Sequence, residues 1–324
     1  MEHPSTNLRP DLQRRLRCLA LGVVLLGSVA CASFTPYREV VAAHGQHLLE
    51  IDGHRVYVRE AGAGEPVILL HGFGGSSFSW RRVVPGLEAH HRVVTLDFHG
   101  FGWTERPSRL GAYTREGQTR LVERVMDRLG IESAHLVGHS YGGAIALTLA
   151  AERPERIRSL VLVNAARPEI SRLRMYTGAD WPGVAWIITR SLLTRRMMTD
   201  HLLESIVDDS LVTSELVTSY LERLRVQGAA RAYRGLTEPV SRQPPALPDL
   251  GRIGASTLLL WGSEDQTFDL EYGRSLADVL PDARFVVIPE AGHLIMEDRP
   301  EAVSRAIRDF LSEDGSAPVI AASP

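Results

Sequence analysis

The sequence predicts an α/β fold: a mostly parallel, eight-stranded sheet with helices on both faces and a helical cap inserted after the sixth strand. Three observations predict it. Short apolar runs recur along the chain with helical patterns between most of them, a hairpin pattern precedes the first of these runs, and one long interval breaks the rhythm with helical sequence alone.

Taken in order, residues 33–46 show little periodicity and are expected to form a tether. Residues 48–51 and 55–58 then alternate around Asp52-Gly53, a two-residue hairpin signal. Continuous apolar runs follow at 67–70, 93–96, 135–137, 160–163, 257–260 and 285–288, as expected of parallel strands covered on both faces. Helical patterns at 114–129 and 300–311 lie between or after them. Between Asn164 and Ile253 no strand pattern occurs. Residues 172–198 carry Met175, Tyr176, Trp181, Trp186, Met197 and Met198, helical periodicity runs from 201 to 225, and a proline-rich stretch at 239–248 returns the chain. The expected organisation is therefore a core of residues 47–166 and 249–311, a helical cap or lid of residues 167–248, and a small, polar, disordered tail of residues 312–324. Methionines and aromatics at helical spacing suit either packing or a lid over an apolar pocket.

At 324 residues the chain suits one large domain with an insertion. Its formal net charge is −3, and beyond the N-terminus arginines are interleaved with acids, which leaves no basic field for nucleic acid. Lysine is absent. That excludes a Schiff-base lysine, a phosphate-loop lysine and a Ser-Lys dyad. The two cysteines, Cys18 and Cys31, both precede the predicted core, which therefore has no disulfide frame, thiol nucleophile or thiolate metal site.

Residues 1–32 are expected to be a signal peptide or membrane anchor. Arg9, Arg14, Arg15 and Arg17 precede an uncharged stretch that ends in small residues and is short for a membrane span. Gly27-Ser28-Val29-Ala30 before Cys31 resembles the lipobox of bacterial lipoprotein signal peptides, although Ser28 stands where leucine is usual. The resemblance implies lipid attachment at Cys31. Ordinary cleavage after a small-x-small triplet and retention as an uncleaved anchor are the alternatives. In each case the folded part lies outside the cytoplasm, and a lipoprotein would be tethered to a membrane surface facing the periplasm or cell exterior.

The motif of most chemical interest is Gly138-His139-Ser140-Tyr141-Gly142, a G-x-S-x-G sequence. Such a pattern arises easily by chance, and its setting is what gives it weight. An apolar run precedes it and a small-residue helical pattern follows, so it occupies a strand-to-helix turn. There the backbone is strained and closely approached, and only glycine fits on either side of the serine.

With four further segments in order, the chain from about Gly45 to Leu311 resembles the α/β-hydrolase superfamily. The segments are His71-Gly72-Phe73-Gly74-Gly75, Asp97-Phe98-His99-Gly100-Phe101-Gly102, Gly262-Ser263-Glu264-Asp265 and Gly292-His293. The resemblance implies a nucleophile at Ser140, a general base at His293 and an orienting acid at Asp265, which sits at the family's position three residues after Gly262. Glu264 and Asp269 are the alternative acids. It further implies an oxyanion hole made by the amides of Tyr141 and Phe73. His71, His99 and His139 are read as supporting residues. No metal-ligand spacing such as H-E-x-x-H occurs, the glycine loop lacks a dinucleotide fingerprint, and no metal or cofactor is expected.

Relatives that open epoxides or displace halide carry aspartate at the nucleophile position, so Ser140 points instead to acyl transfer to water. The expectation is a serine hydrolase of the esterase or lipase type, acting on an apolar or lipid-like carboxylic ester through an acyl-enzyme. A carbon-carbon bond hydrolase or perhydrolase on the same triad is one alternative. A non-catalytic, ligand-binding envelope lipoprotein is the other.

Overall fold

The computed structural model describes residues 33–171, 189–190, 193–237 and 247–313. Eight strands form one sheet in the order β1-β2-β4-β3-β5-β6-β7-β8. They are β1 (Leu48–Ile51), β2 (His54–Ala61), β3 (Glu65–Leu70), β4 (His91–Leu96), β5 (Ala134–His139), β6 (Ile157–Val163), β7 (Ser256–Gly262) and β8 (Ala283–Ile288). The β1-β2 hairpin closes at Asp52-Gly53, and β2 joins β4 antiparallel. All later pairings are parallel. Every residue of β5 is buried, because the parallel strands are covered on both faces. The strand order reverses beside β3, with β4 on one side and β5 on the other. Such a reversal opens a crevice at the carboxyl ends of the strands.

The longer helices are α1 (Tyr37–His44), α2 (Arg115–Arg128), α3 (Tyr141–Glu152), α4 (Arg195–Ser205), α5 (Ser214–Leu224), α6 (Ala229–Thr237), α7 (Leu270–Ala277) and α8 (Pro300–Glu313). Helix α2 starts where Thr114 accepts a hydrogen bond from the Gly117 amide, and it buries Leu121, Val122, Val125 and Met126 at helical spacing. Helix α3 is buried along almost its whole length, and its glycines and alanines allow it to lie close to the sheet. Helices α4, α5 and α6 fall within the interval expected to form the cap. The periodicity at 201–225 is divided between α4 and α5, which Thr213 caps at its N-terminus through the Leu216 amide.

Two boundaries differ from expectation. Residues 33–46, expected as a tether, contain α1. Val40 is buried with Tyr57, Trp103 and Val226, His44 stacks on Trp103 at 4.7 Å, and Thr35 pairs in parallel with Val226. The surfaces that bury this segment lie far away in sequence, so no pattern within it announces them. The tail was expected from Ser312, but α8 continues to Glu313, whose carboxylate meets Arg284 at 2.6 Å. Residues 1–32, the aromatic and methionine cluster at 175–186, and the end of the tail lie outside the described residues, as does most of the proline-rich stretch. Among the described residues, no helix is long and apolar enough to cross a membrane.

Candidate active site

Ser140 sits between the end of β5 and the first residue of α3, at φ +49° and ψ −119°. Left-handed backbone at a residue other than glycine costs about 1–3 kcal/mol and persists only where surrounding structure imposes it. Here it is imposed on both sides. The Ser140 amide donates to the Val163 carbonyl at 3.1 Å, and the Ser140 carbonyl accepts from the amides of Gly143 at 2.8 Å and Ala166 at 2.9 Å. A Cβ on Gly142 would lie 2.5 Å from the Leu70 carbonyl oxygen, and one on Gly138 would lie 2.6 Å from that of Gly142. Both flanking glycines are thus required by close backbone approach, as the motif implied.

Three side chains from separate loops then meet. His293 Nε2 lies 3.0 Å from Ser140 Oγ, and His293 Nδ1 lies 2.9 Å from Asp265 Oδ2. A carboxylate can only accept, so Nδ1 carries the proton and Nε2 is left as the acceptor facing the serine hydroxyl. Asp265 is fixed in turn, since its Oδ1 accepts from the amides of Thr267 at 2.7 Å and Phe268 at 3.0 Å. Its side chain is 0% exposed. The alternative acids lie elsewhere: Glu264 is exposed, and Asp269 caps α7 through the Tyr272 amide.

Phe73 follows β3 and Tyr141 opens α3, on the two sides of the strand-order reversal. Their rings meet edge to face at 6.3 Å, and a Cβ on Gly72 would come within 3.1 Å of Ser140 Cβ. Neither the Phe73 nor the Tyr141 amide donates to another described residue, so both remain available beside the serine. His71 secures the glycine-rich turn: its Nδ1 donates to the Gly72 carbonyl at 2.7 Å, and its Nε2 accepts from the Phe98 amide at 3.0 Å. Burial holds its pKa below the usual histidine value, which preserves the neutral ring that this pair of bonds needs. His99 is pushed down to about 4, again chiefly by burial. Among the described residues, no group of three or more His, Cys, Asp or Glu side chains could hold a metal ion. Cys31 lies outside the described residues.

Sequence reasoning did not single out Asn164. It follows β6 at φ +42° and is fully buried. Its Nδ2 donates to the carbonyls of Gly292 at 2.8 Å and His293 at 3.1 Å, while its Oδ1 accepts from the Gly262 amide at 2.9 Å. One side chain therefore joins the loop carrying His293 to the strand that leads to Asp265. His139 adds a bond from Nε2 to the His293 carbonyl at 2.9 Å, and burial, followed by the neighbouring His293, holds its pKa well below the usual value. An asparagine directly after an apolar strand was the available signal, but its three partners are set by the fold.

The chain matches, over residues 65–190 and 222–300, the sequence model of a family described as the alpha/beta hydrolase fold. It is 32% identical over 299 residues to the 2-hydroxymuconate semialdehyde hydrolase of Pseudomonas sp. strain CF600, covering 87% of this chain and 96% of that one. It is 30% identical over 266 residues to haloalkane dehalogenase 2 of Mycobacterium tuberculosis strain H37Rv, covering 78% of this chain and 90% of that one. Among solved structures, a bacterial membrane phospholipase A is similar with a TM-score of 0.69 and 25% identity, over 94% of this chain and 100% of that chain.

Proposed function

Since the chain belongs to the α/β-hydrolase fold family, we propose that it is a serine hydrolase cleaving an apolar or lipid-like carboxylic ester through an acyl-enzyme. The observation that carries this reading is the unbroken hydrogen-bond path from Ser140 through His293 to Asp265, at 3.0 and 2.9 Å. As Ser140 Oγ attacks the ester carbonyl, His293 Nε2 takes its proton, and Asp265 stabilises the imidazolium that forms. The amides of Phe73 and Tyr141 receive the negative charge that develops on the carbonyl oxygen. His293 then protonates the departing alkoxide. In the second half, the same nitrogen takes a proton from water as it attacks the acyl-enzyme, and returns it to Ser140 Oγ as the acid leaves. The side chains and amides supply every step without a cofactor.

The dehalogenase relative does not extend its chemistry to this chain. Displacing halide with serine would leave an alkyl ether, which offers no carbonyl for water to attack. Similarity to a membrane phospholipase A supports a lipid-like ester. Tethering to a membrane surface through an acylated Cys31, with the folded part exported, belongs to the same proposal, and mass spectrometry of the mature N-terminus tests it. A second reading, carbon-carbon bond hydrolysis with the same three side chains, is favoured by the semialdehyde hydrolase relative.

Fluorophosphonate labelling and turnover of an ester series of increasing acyl length test the primary reading. Ser140→Ala should abolish labelling and lower turnover by more than about 10³-fold. Labelling that survives the substitution, or a smaller fall, overturns it. Faster cleavage of a vinylogous diketone than of any ester would replace it with the second reading.

A further inference from the structure

The backbone that carries His293 is held at the Gly292 amide and carbonyl, the His293 carbonyl and the Leu294 amide, and two of these bonds lead, one directly and one through Asp298, to the end of α4 and the residues after it. The Leu294 amide donates to the carbonyl of Ser205, the last residue of α4. The Gly292 amide donates to Asp298 Oδ2 at 2.9 Å. The other oxygen of that carboxylate, Oδ1, accepts from the amides of Val207 at 2.9 Å and Asp208 at 3.4 Å, which follow α4. The contact is direct. A Cβ on Gly292 would lie 2.7 Å from the Ser205 carbonyl oxygen, so only glycine lets the two backbones meet.

Asp298 is buried and touches neither Ser140 nor Asp265. It faces three backbone amides, with the cap segment on one oxygen and the His293 loop on the other. A buried carboxylate is tolerable only while such donors surround it. If residues 205–208 move away, Oδ1 loses both donors and the Leu294 amide loses its acceptor. The carboxylate must then turn toward new donors, and its hold on Gly292 weakens with it.

We infer that Asp298 is a positioning residue that makes docking of cap residues 205–208 a condition for the correct placement of His293. This rests on the reading of His293 as the general base. Seating of residues 205–208 and alignment of the base are then one event.

The test uses two variants of the full chain. Asp298→Asn keeps the size of the side chain but presents an NH2 group to donors on one side. Val207→Pro removes the cap's stronger donor, and the preceding Ile206, at φ −117° and ψ +134°, already has the extended backbone that a residue before proline adopts. Active sites are counted by fluorophosphonate titration, so that unfolded molecules do not enter kcat. Each variant should lower kcat per titrated site by about 10–100-fold, since misplacing a catalytic group by an ångström has effects of that size. KM should stay within about threefold of the parent, as expected when an interaction serving the transition state is lost. Combined, they should fall little further than the worse single variant, because both break one linkage. Parental kcat in either folded variant, or losses that multiply, overturns the inference. If one variant does not fold, kcat and KM of the other decide. An active Ser140→Ala would instead overturn the functional reading, whereas an inert Ser140→Ala beside a fully active Asp298→Asn would overturn only the role of Asp298.

Discussion

At Asn164 a single buried amide does what three separate contacts would otherwise have to do. It donates to two carbonyls on the His293 loop and accepts from the Gly262 amide, in a left-handed conformation that asparagine tolerates better than most residues. Asn164→Ala leaves the Gly292 carbonyl and the Gly262 amide without this partner, while the His293 carbonyl keeps its bond from His139, at about 1–3 kcal/mol for each group that water cannot reach. Asn164→Asp retains the acceptor for Gly262 but sets a carboxylate against two carbonyl oxygens. Both variants should lower kcat per titrated site by about 10–100-fold through misplacement of the base. Asp should lower the melting temperature more than Ala. Measured rates and melting curves equal to the parent would contradict this. At the same scale, Ser140, His293 and Asp265 were legible in the sequence because each stands in a local glycine-marked motif. Asn164 was not, because nothing around it announces partners more than ninety residues away.

Among the elements, α5 illustrates what periodicity conveys and what it omits. Leu216, Val217, Tyr220, Leu221 and Leu224 lie on one buried face, as helical spacing requires. The pattern does not say that a buried tyrosine hydroxyl needs a partner. Tyr220 donates to Glu297 at 2.9 Å and lies 3.2 Å from Ser79 Oγ, while Glu297 is held by Arg81 at 2.6 and 2.9 Å. Burial and the adjacent Glu297 push the pKa of Tyr220 upward, so it stays a donor. Tyr220→Phe should destabilise the protein by about 1–3 kcal/mol, the cost of leaving buried acceptors short of a donor. Urea unfolding measures it, and an unchanged midpoint and slope would be inconsistent with the bond carrying weight. The unexpected helix α1 makes the same point: its burial depends on Tyr57, Trp103 and Val226, which no local pattern connects to residues 33–46.

For the whole molecule, burial of neutral histidines sets a pH limit. His71, His99 and His139 all have pKa values lowered mainly by burial, His99 to about 4. In the unfolded chain each would bind a proton near the ordinary histidine value, so below that value the unfolded state binds more protons than the native one. Stability is therefore fully present above about pH 6.5 and declines as pH falls toward 4, by about 1.4 kcal/mol per pH unit for each such group. Urea unfolding between pH 7 and 4.5 should show this slope, and His99→Gln should reduce it by about one proton. A variant with the parental slope would refute the assignment to His99. The sequence by itself determined the sheet, the order of its strands along the chain and the glycine-marked segments that carry Ser140, Asp265 and His293, because apolar runs, helical spacing and glycine-marked turns are local signals. Tertiary structure alone decided which carboxylate meets His293, how Asn164 and Asp298 hold the loop that carries it, and that the backbone at the end of α4 bears directly on Gly292. Those are matters of which distant surfaces come together when the strand order reverses, and hydrogen-bond partners across such distances leave no period in the chain.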